Sequence, residues 1–197
     1  MKKLSLSLLL LSIAFTAPAQ ETDHLTVAGV PIDGSEGEFV AEMLKRGYEL
    51  EEISYDETIL SGYFGGYANS EIHIFHYPEQ DGSRRVYKAM VGLPACSSWK
   101  QISRQYLSLK EMLAKEFGPP SSCVEKFKSA VQPQDDNAGF HELLLGNGLF
   151  GFDFVLKQGR IQAVIFSEFD KAQVVITYED AVNNARRQVA FLDPDDL

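Results

Sequence analysis

The sequence predicts an α+β protein in which antiparallel β-meanders pack with two or three helices. Three observations carry this. Two segments open with a helix cap and then place apolar residues three and four apart. Several short runs are rich in β-branched and aromatic residues and are bounded by turn signals. The links between those runs are too short for parallel crossovers.

The elements follow in order. Residues 25–32 are expected as one short strand, ended by Pro31 and the Asp33-Gly34 turn. Ser35 and Glu38 have the spacing of a capping box, and Phe39, Val40, Met43 and Leu44 then fall on one helical face up to Gly47. Strands are expected at 48–54, 58–66, 71–77 and 85–93, a first meander. Ser98 with Gln101 reads as a second capping box. Trp99, Ile102, Tyr106, Leu109 and Leu113 step along the helix after it, which Gly118, Pro119 and Pro120 end. A strand at 122–127 and a polar loop at 132–139 lead to a second meander. Its hairpin is placed at Gly146-Asn147-Gly148, between strands 140–145 and 149–156, because Asn-Gly is a strong hairpin signal. Phe150, Phe152, Phe154 and Leu156 alternate on one face, where Ile161, Ala163 and Ile165 of the strand at 160–166 can meet them. After a strand at 173–178, Asp180 caps a last helix with Val182, Ala185 and Val189 expected inward, before an acidic tail at 193–197.

The start of the chain reads as an address. Lys2 and Lys3 precede an apolar run from Leu4 to Phe15, and Ala17-Pro18-Ala19 fits a signal-peptide cleavage site. The expected organisation is a signal peptide at 1–19, a first helix-plus-meander half at 20–95 and a second at 96–197, folded as one compact unit. Gly62-Tyr63-Phe64-Gly65 echoes Gly148-Leu149-Phe150-Gly151. Internal duplication and the ordinary reuse of glycine and aromatics at sheet bends both account for the echo. The location expected is periplasmic or secreted.

Removing residues 1–19 takes away Lys2 and Lys3 and no acid, so the formal charge of −10 becomes −12. That acidity argues against nucleic acid and anionic membranes as partners. The apolar run at 4–15 is too short to span a bilayer, which takes about 20 residues, so no integral membrane segment is expected in the mature chain. In an oxidising compartment Cys96 and Cys123 are candidates for a disulfide. The helix between them carries the chain about 28 Å away, and the extended segment after it can return about 23 Å. A pair of free buried thiols is the other reading.

The remaining motifs fail their context tests. Gly146 to Gly151 spells G-x-G-x-x-G, but a strand follows where a dinucleotide site needs a helix. His141-Glu142 lacks the second histidine of H-E-x-x-H, since Leu145 stands there. His73 and His76 are three apart in a strand and point to opposite faces. No cofactor, metal or catalytic residue is therefore assigned. Tyr63, Phe64 and Tyr67, near glycines, are candidates for a ligand-stacking surface. The functional expectation is a non-catalytic binding or protein-interaction protein whose partner is a protein or a glycan. The alternatives are a periplasmic enzyme with a site assembled only in the fold, and an envelope structural protein.

The segments Val30 to Ser35, Leu60 to Tyr67, Trp99 with Tyr106, Leu109 and Lys110, Phe117 to Pro120, Tyr178 to Asp180 with Asn183, and the closing Asp195-Asp196-Leu197 together resemble a family of small exported proteins of Bacteroides-type bacteria. The resemblance covers nearly the whole mature chain. It implies export and an α+β scaffold, and no activity, because that family has none to carry over. The alternation of helix and meander is also similar to secreted inhibitor folds that bind enzymes with a concave sheet, an analogy of architecture alone.

Overall fold

Alternating apolar residues and short links produce one large antiparallel sheet. The computed structural model describes residues 24–128 and 132–191. The expected signal segment, its cleavage near Ala19 and the acidic tail at 193–197 lie outside the described residues. Two short strands, β1 (Thr26–Val27) and β2 (Val30–Pro31), precede helix α1 (Glu36–Lys45). Then come β3 (Glu49–Ile53), β4 (Glu57–Phe64), β5 (Tyr67–Pro78), β6 (Arg84–Gly92) and helix α2 (Trp99–Phe117). β7 (Ser122–Phe127), helix α3 (Asp136–Leu144), β8 (Gly148–Leu156), β9 (Gly159–Glu168), β10 (Lys171–Asp180) and helix α4 (Ala181–Ala190) complete the chain. The eight longer strands lie in the order β3-β4-β5-β6-β10-β9-β8-β7, every neighbour antiparallel. The two meanders thus meet at their last strands, β6 and β10.

One face of the sheet forms the core. Leu60, Ile72, Ile74, Val91, Val174 and Ile176 are buried on it, and β8 adds Phe152 and Phe154 opposite Ala163 and Ile161 of β9. Phe39 and Met43 of α1 and Ile102, Tyr106, Leu109 and Leu113 of α2 close the same core. Each such burial is worth roughly 1.5–3 kcal/mol relative to exposure. The capping box of α1 is complete, Ser35 and Glu38 each satisfying the other's backbone N–H. That of α2 has one limb only, Ser98 Oγ accepting from the Gln101 N–H.

Three places differ from the sequence expectation. Residues 25–32 fold as a hairpin instead of one strand. Ala28 (φ 51°) and Gly29 (φ 76°) form its two-residue turn, with the left-handed conformation such hairpins need. Residues 136–144 are helical, so the Asn-Gly pair marks a helix end instead of a hairpin. Asp135 caps this helix by accepting from the Ala138 N–H at 2.8 Å, and Gly146 (φ 74°) stops it. Gly139 inside it lets α3 sit on Trp99, whose ring is 2.9 Å from where a Cβ would stand. The helices among the described residues therefore number four. Finally, α4 buries Asn183 instead of its apolar face: Val189 is 69% exposed, while Asn183 Nδ2 donates to the carbonyls of Ile32 (2.8 Å) and Val86 (2.9 Å).

Candidate functional site

The second face of the sheet is left largely uncovered by the described residues. Residues opposite one another in an antiparallel register share a face, so lateral rows can be traced across it. One row runs Glu49, Ser61, Glu71, Gly92, Val175, Val164, Gly151, Val124 from β3 to β7. The next runs Glu52, Ile59, His73, Met90, Thr177, Gln162, Asp153, Ser122. Val124, Leu149, Val164 and Phe166 stay exposed on it, and Met90, Val175 and Thr177 are partly exposed. α4 stands at one end, its Arg187 guanidinium 4.5 Å from the Tyr87 ring centre.

The face is chemically divided. Toward β3, β4 and β5 it carries Glu49, Glu51, Glu52, Glu57 and Glu71; Glu51 accepts from the Ser61 hydroxyl, and His73 lies 3.2 Å from Glu57 and 3.9 Å from Glu71. Lys88, over the Phe75 ring at 4.0 Å, borders this side. Toward β7, β8 and β9 it carries Val124, Leu149, Val164 and Phe166. Arg160 there holds Asp153 by two hydrogen bonds of 2.8 and 2.7 Å, an ion pair that keeps the Asp153 carboxyl below the usual range, and Lys126 is exposed beside Leu149. Gly151 leaves a gap between Val164 and Val124, a shallow cavity of ≈ 310 Å³.

The aromatic residues expected as one surface are split. Tyr63 is 67% exposed, whereas Phe64 is 5% exposed and packs edge-on against Tyr178 in the core. Both border a cavity of ≈ 520 Å³ with Tyr48, Met112 and Phe117. Burial pushes the Tyr48 phenol up, and its hydroxyl donates to the Tyr63 carbonyl at 2.9 Å. Tyr67 packs against the core and borders a different cavity, of ≈ 600 Å³, beside Pro94, Cys96 and Gln105.

The cysteines are not bridged, which corrects the candidate disulfide: both thiols are free. Cys96 continues the lane of β6, pairing with Ala172 at the start of β10, while Cys123 lies on the edge strand β7. Four strand spacings of about 4.8 Å put roughly 19 Å between those lanes, beyond the reach of a disulfide. The expected chain path fails because β7 runs along the far edge of the second meander. Cys96 Sγ faces the Pro94 carbonyl and Gln105, and burial pushes its thiol up. Cys123 Sγ meets Lys110 Nζ at 3.2 Å.

Two buried polar clusters were invisible in the sequence. Glu36, in the first turn of α1, pairs with Arg84 at 2.7 Å, accepts from the Thr58 hydroxyl and faces His76 Nε2 at 3.5 Å. Burial pushes the His76 imidazole below its usual range, the charge of Glu36 partly opposing this. Asp180 is fully buried and accepts from the N–H groups of Leu25 (2.9 Å) and Asn183 (2.8 Å), and it meets His24 Nδ1 at 3.1 Å. Both clusters tie elements together. Their signal was a cap or first-turn acid, which does not distinguish a buried carboxylate from an exposed one. His73 and His76 lie on opposite faces as their spacing requires. Among the described residues no helix is long and apolar enough to cross a membrane. Comparison with protein-family models, with curated proteins and with solved structures found no match to this chain.

Proposed function

We propose that the protein is exported and acts without catalysis, binding a polypeptide on the uncovered face of its sheet. The observation that carries the reading is the division of that face. An acidic side on β3, β4 and β5 lies across β6 and β10 from an apolar side on β7, β8 and β9 that has a gap at Gly151. Charge complementarity selects a basic partner, because five glutamates there meet one lysine. An apolar side chain of the partner fits the Gly151 gap. A second copy of this chain would bring like charges together. The reading of export rests on the layout of residues 1–19 and on the resemblance to small exported proteins, and the buried carboxylates support a scaffold role because each joins separate elements.

A photo-cross-linking residue placed at Val164, or at Lys115 on the exposed side of α2, tests this in the native envelope. The account expects polypeptide adducts from Val164 that weaken at high salt, and none from Lys115. Equal adducts from both positions, adducts to glycan alone, or none at all would overturn it.

A further inference from the structure

Helix α2 and the edge strand β7 bring four reactive groups together, none of which the sheet-face reading uses. Tyr106 and Lys110 are four residues apart on α2 and share one side of it. Cys123 and Glu125 are two apart on β7 and share its inner face. Lys110 Nζ lies 3.2 Å from Cys123 Sγ and 2.7 Å from Glu125 Oε1. Behind them Tyr106 is 1% exposed; its buried hydroxyl faces Glu125 and Cys123 without closing a well-aligned hydrogen bond to either. Cys123 itself is exposed. The arrangement is an accessible sulfur flanked by one fixed cation and one buried phenol donor.

We propose that Cys123 is an oxidation site, at which hydrogen peroxide converts the thiol to a sulfenic acid held by Lys110 and Tyr106. The thiol releases its proton, the thiolate sulfur attacks one peroxide oxygen, and an S–O bond forms as the O–O bond breaks. Sulfur is oxidised by two electrons, and the departing hydroxide takes the thiol proton and leaves as water. An ammonium has three donors, so Glu125 fixes Lys110 through one and leaves others to meet the charge on sulfur as it attacks. The added oxygen offers the Tyr106 hydroxyl an acceptor with which a well-aligned hydrogen bond can close. Cys96 provides the contrast, for its thiol is partly buried and faces the oxygens of Pro94 and Gln105. Its distance across the sheet also prevents an internal disulfide, so the oxidised Cys123 persists until a thiol from outside resolves it.

The test treats the mature protein with dilute hydrogen peroxide near pH 7, traps sulfenic acid with dimedone and assigns adducts by mass spectrometry. Cys123 is expected to be labelled at least about tenfold faster than Cys96, as thiolate character and exposure govern oxidation. Lys110→Gln slows Cys123 by about fivefold and Lys110→Arg keeps most of the rate, since the assistance is that of a neighbouring cation. Tyr106→Phe leaves the initial rate but shortens the life of the sulfenic acid, which advances to sulfinic acid. In urea the two cysteines react alike. Equal rates at Cys96 and Cys123 in the folded protein would overturn the proposal, as would an unchanged rate in a folded Lys110→Gln variant.

Discussion

Replacing Asn183 with alanine separates the structure's account of α4 from the one its helical periodicity suggests. The side chain is fully buried, and its amide spans two elements by donating to Ile32 O and Val86 O. Alanine removes both hydrogen bonds and leaves two buried carbonyls without them, a loss of roughly 1–3 kcal/mol for each unsatisfied group. Against this, Asn183 Oδ1 is itself buried without a partner, so its removal returns part of the cost. The net expectation is a loss of about 2 kcal/mol. At about 2–4 °C per kcal/mol for a chain of this size, the melting temperature falls by roughly 4–8 °C. Urea unfolding of the mature chain measures the change, with Val189→Ala as companion because that side chain is mostly solvent-exposed and is expected to change stability by less than about 0.5 kcal/mol. An Asn183→Ala variant as stable as the parent, or a Val189→Ala loss above about 1 kcal/mol, would refute the reasoning.

Other expectations follow from the same contacts. Since burial lowers the folded-state pKa of His76 beneath its usual 6.5, the unfolded chain takes up that proton first as the pH falls. Stability is therefore lost as the pH drops below about 6.5, and urea midpoints at pH 7.5 and 5.5 should differ less in His76→Gln. Gly139→Val drives a side chain into the Trp99 ring and is expected to cost about 1–3 kcal/mol in urea unfolding. Gly37→Ala, in an open position of α1, should instead stabilise by about 0.5–1 kcal/mol in the same assay. Val164→Lys, on the uncovered face, should leave the unfolding midpoint within about 0.5 kcal/mol of the parent while abolishing cross-links from neighbouring positions.

Local rules were legible wherever one residue type had one physical use. Ser35 and Glu38, the stepped residues of α2 and the alternating phenylalanines of β8 all stand where their periodicity puts them. The same rules failed where one residue type serves two ends. Asn147-Gly148 signals a hairpin and Gly146 a helix stop, and the cap at Asp135 together with the fit of Gly139 on Trp99 decides for the helix. Asn183 shows the limit of amphipathic reading, because an amide that satisfies two buried carbonyls holds α4 where Val189 does not. Of the candidate site, the alternation in β8 and β9 already implied an outward row of Gly151, Asp153, Gln162 and Val164. That this row continues into the acidic side depends on β6 pairing with β10, a long-range contact that no local pattern encodes.

The claim that the uncovered face takes a basic polypeptide is tested most directly by the affinity of the polypeptide cross-linked at Val164. Its binding would be measured to the parent, to Val164→Lys and to Glu71→Lys, each at low and high salt. The account predicts at least a tenfold loss for each variant, about 1.4 kcal/mol, with the Glu71→Lys loss fading more than the Val164→Lys loss as salt rises. Equal affinity for all three proteins would contradict it.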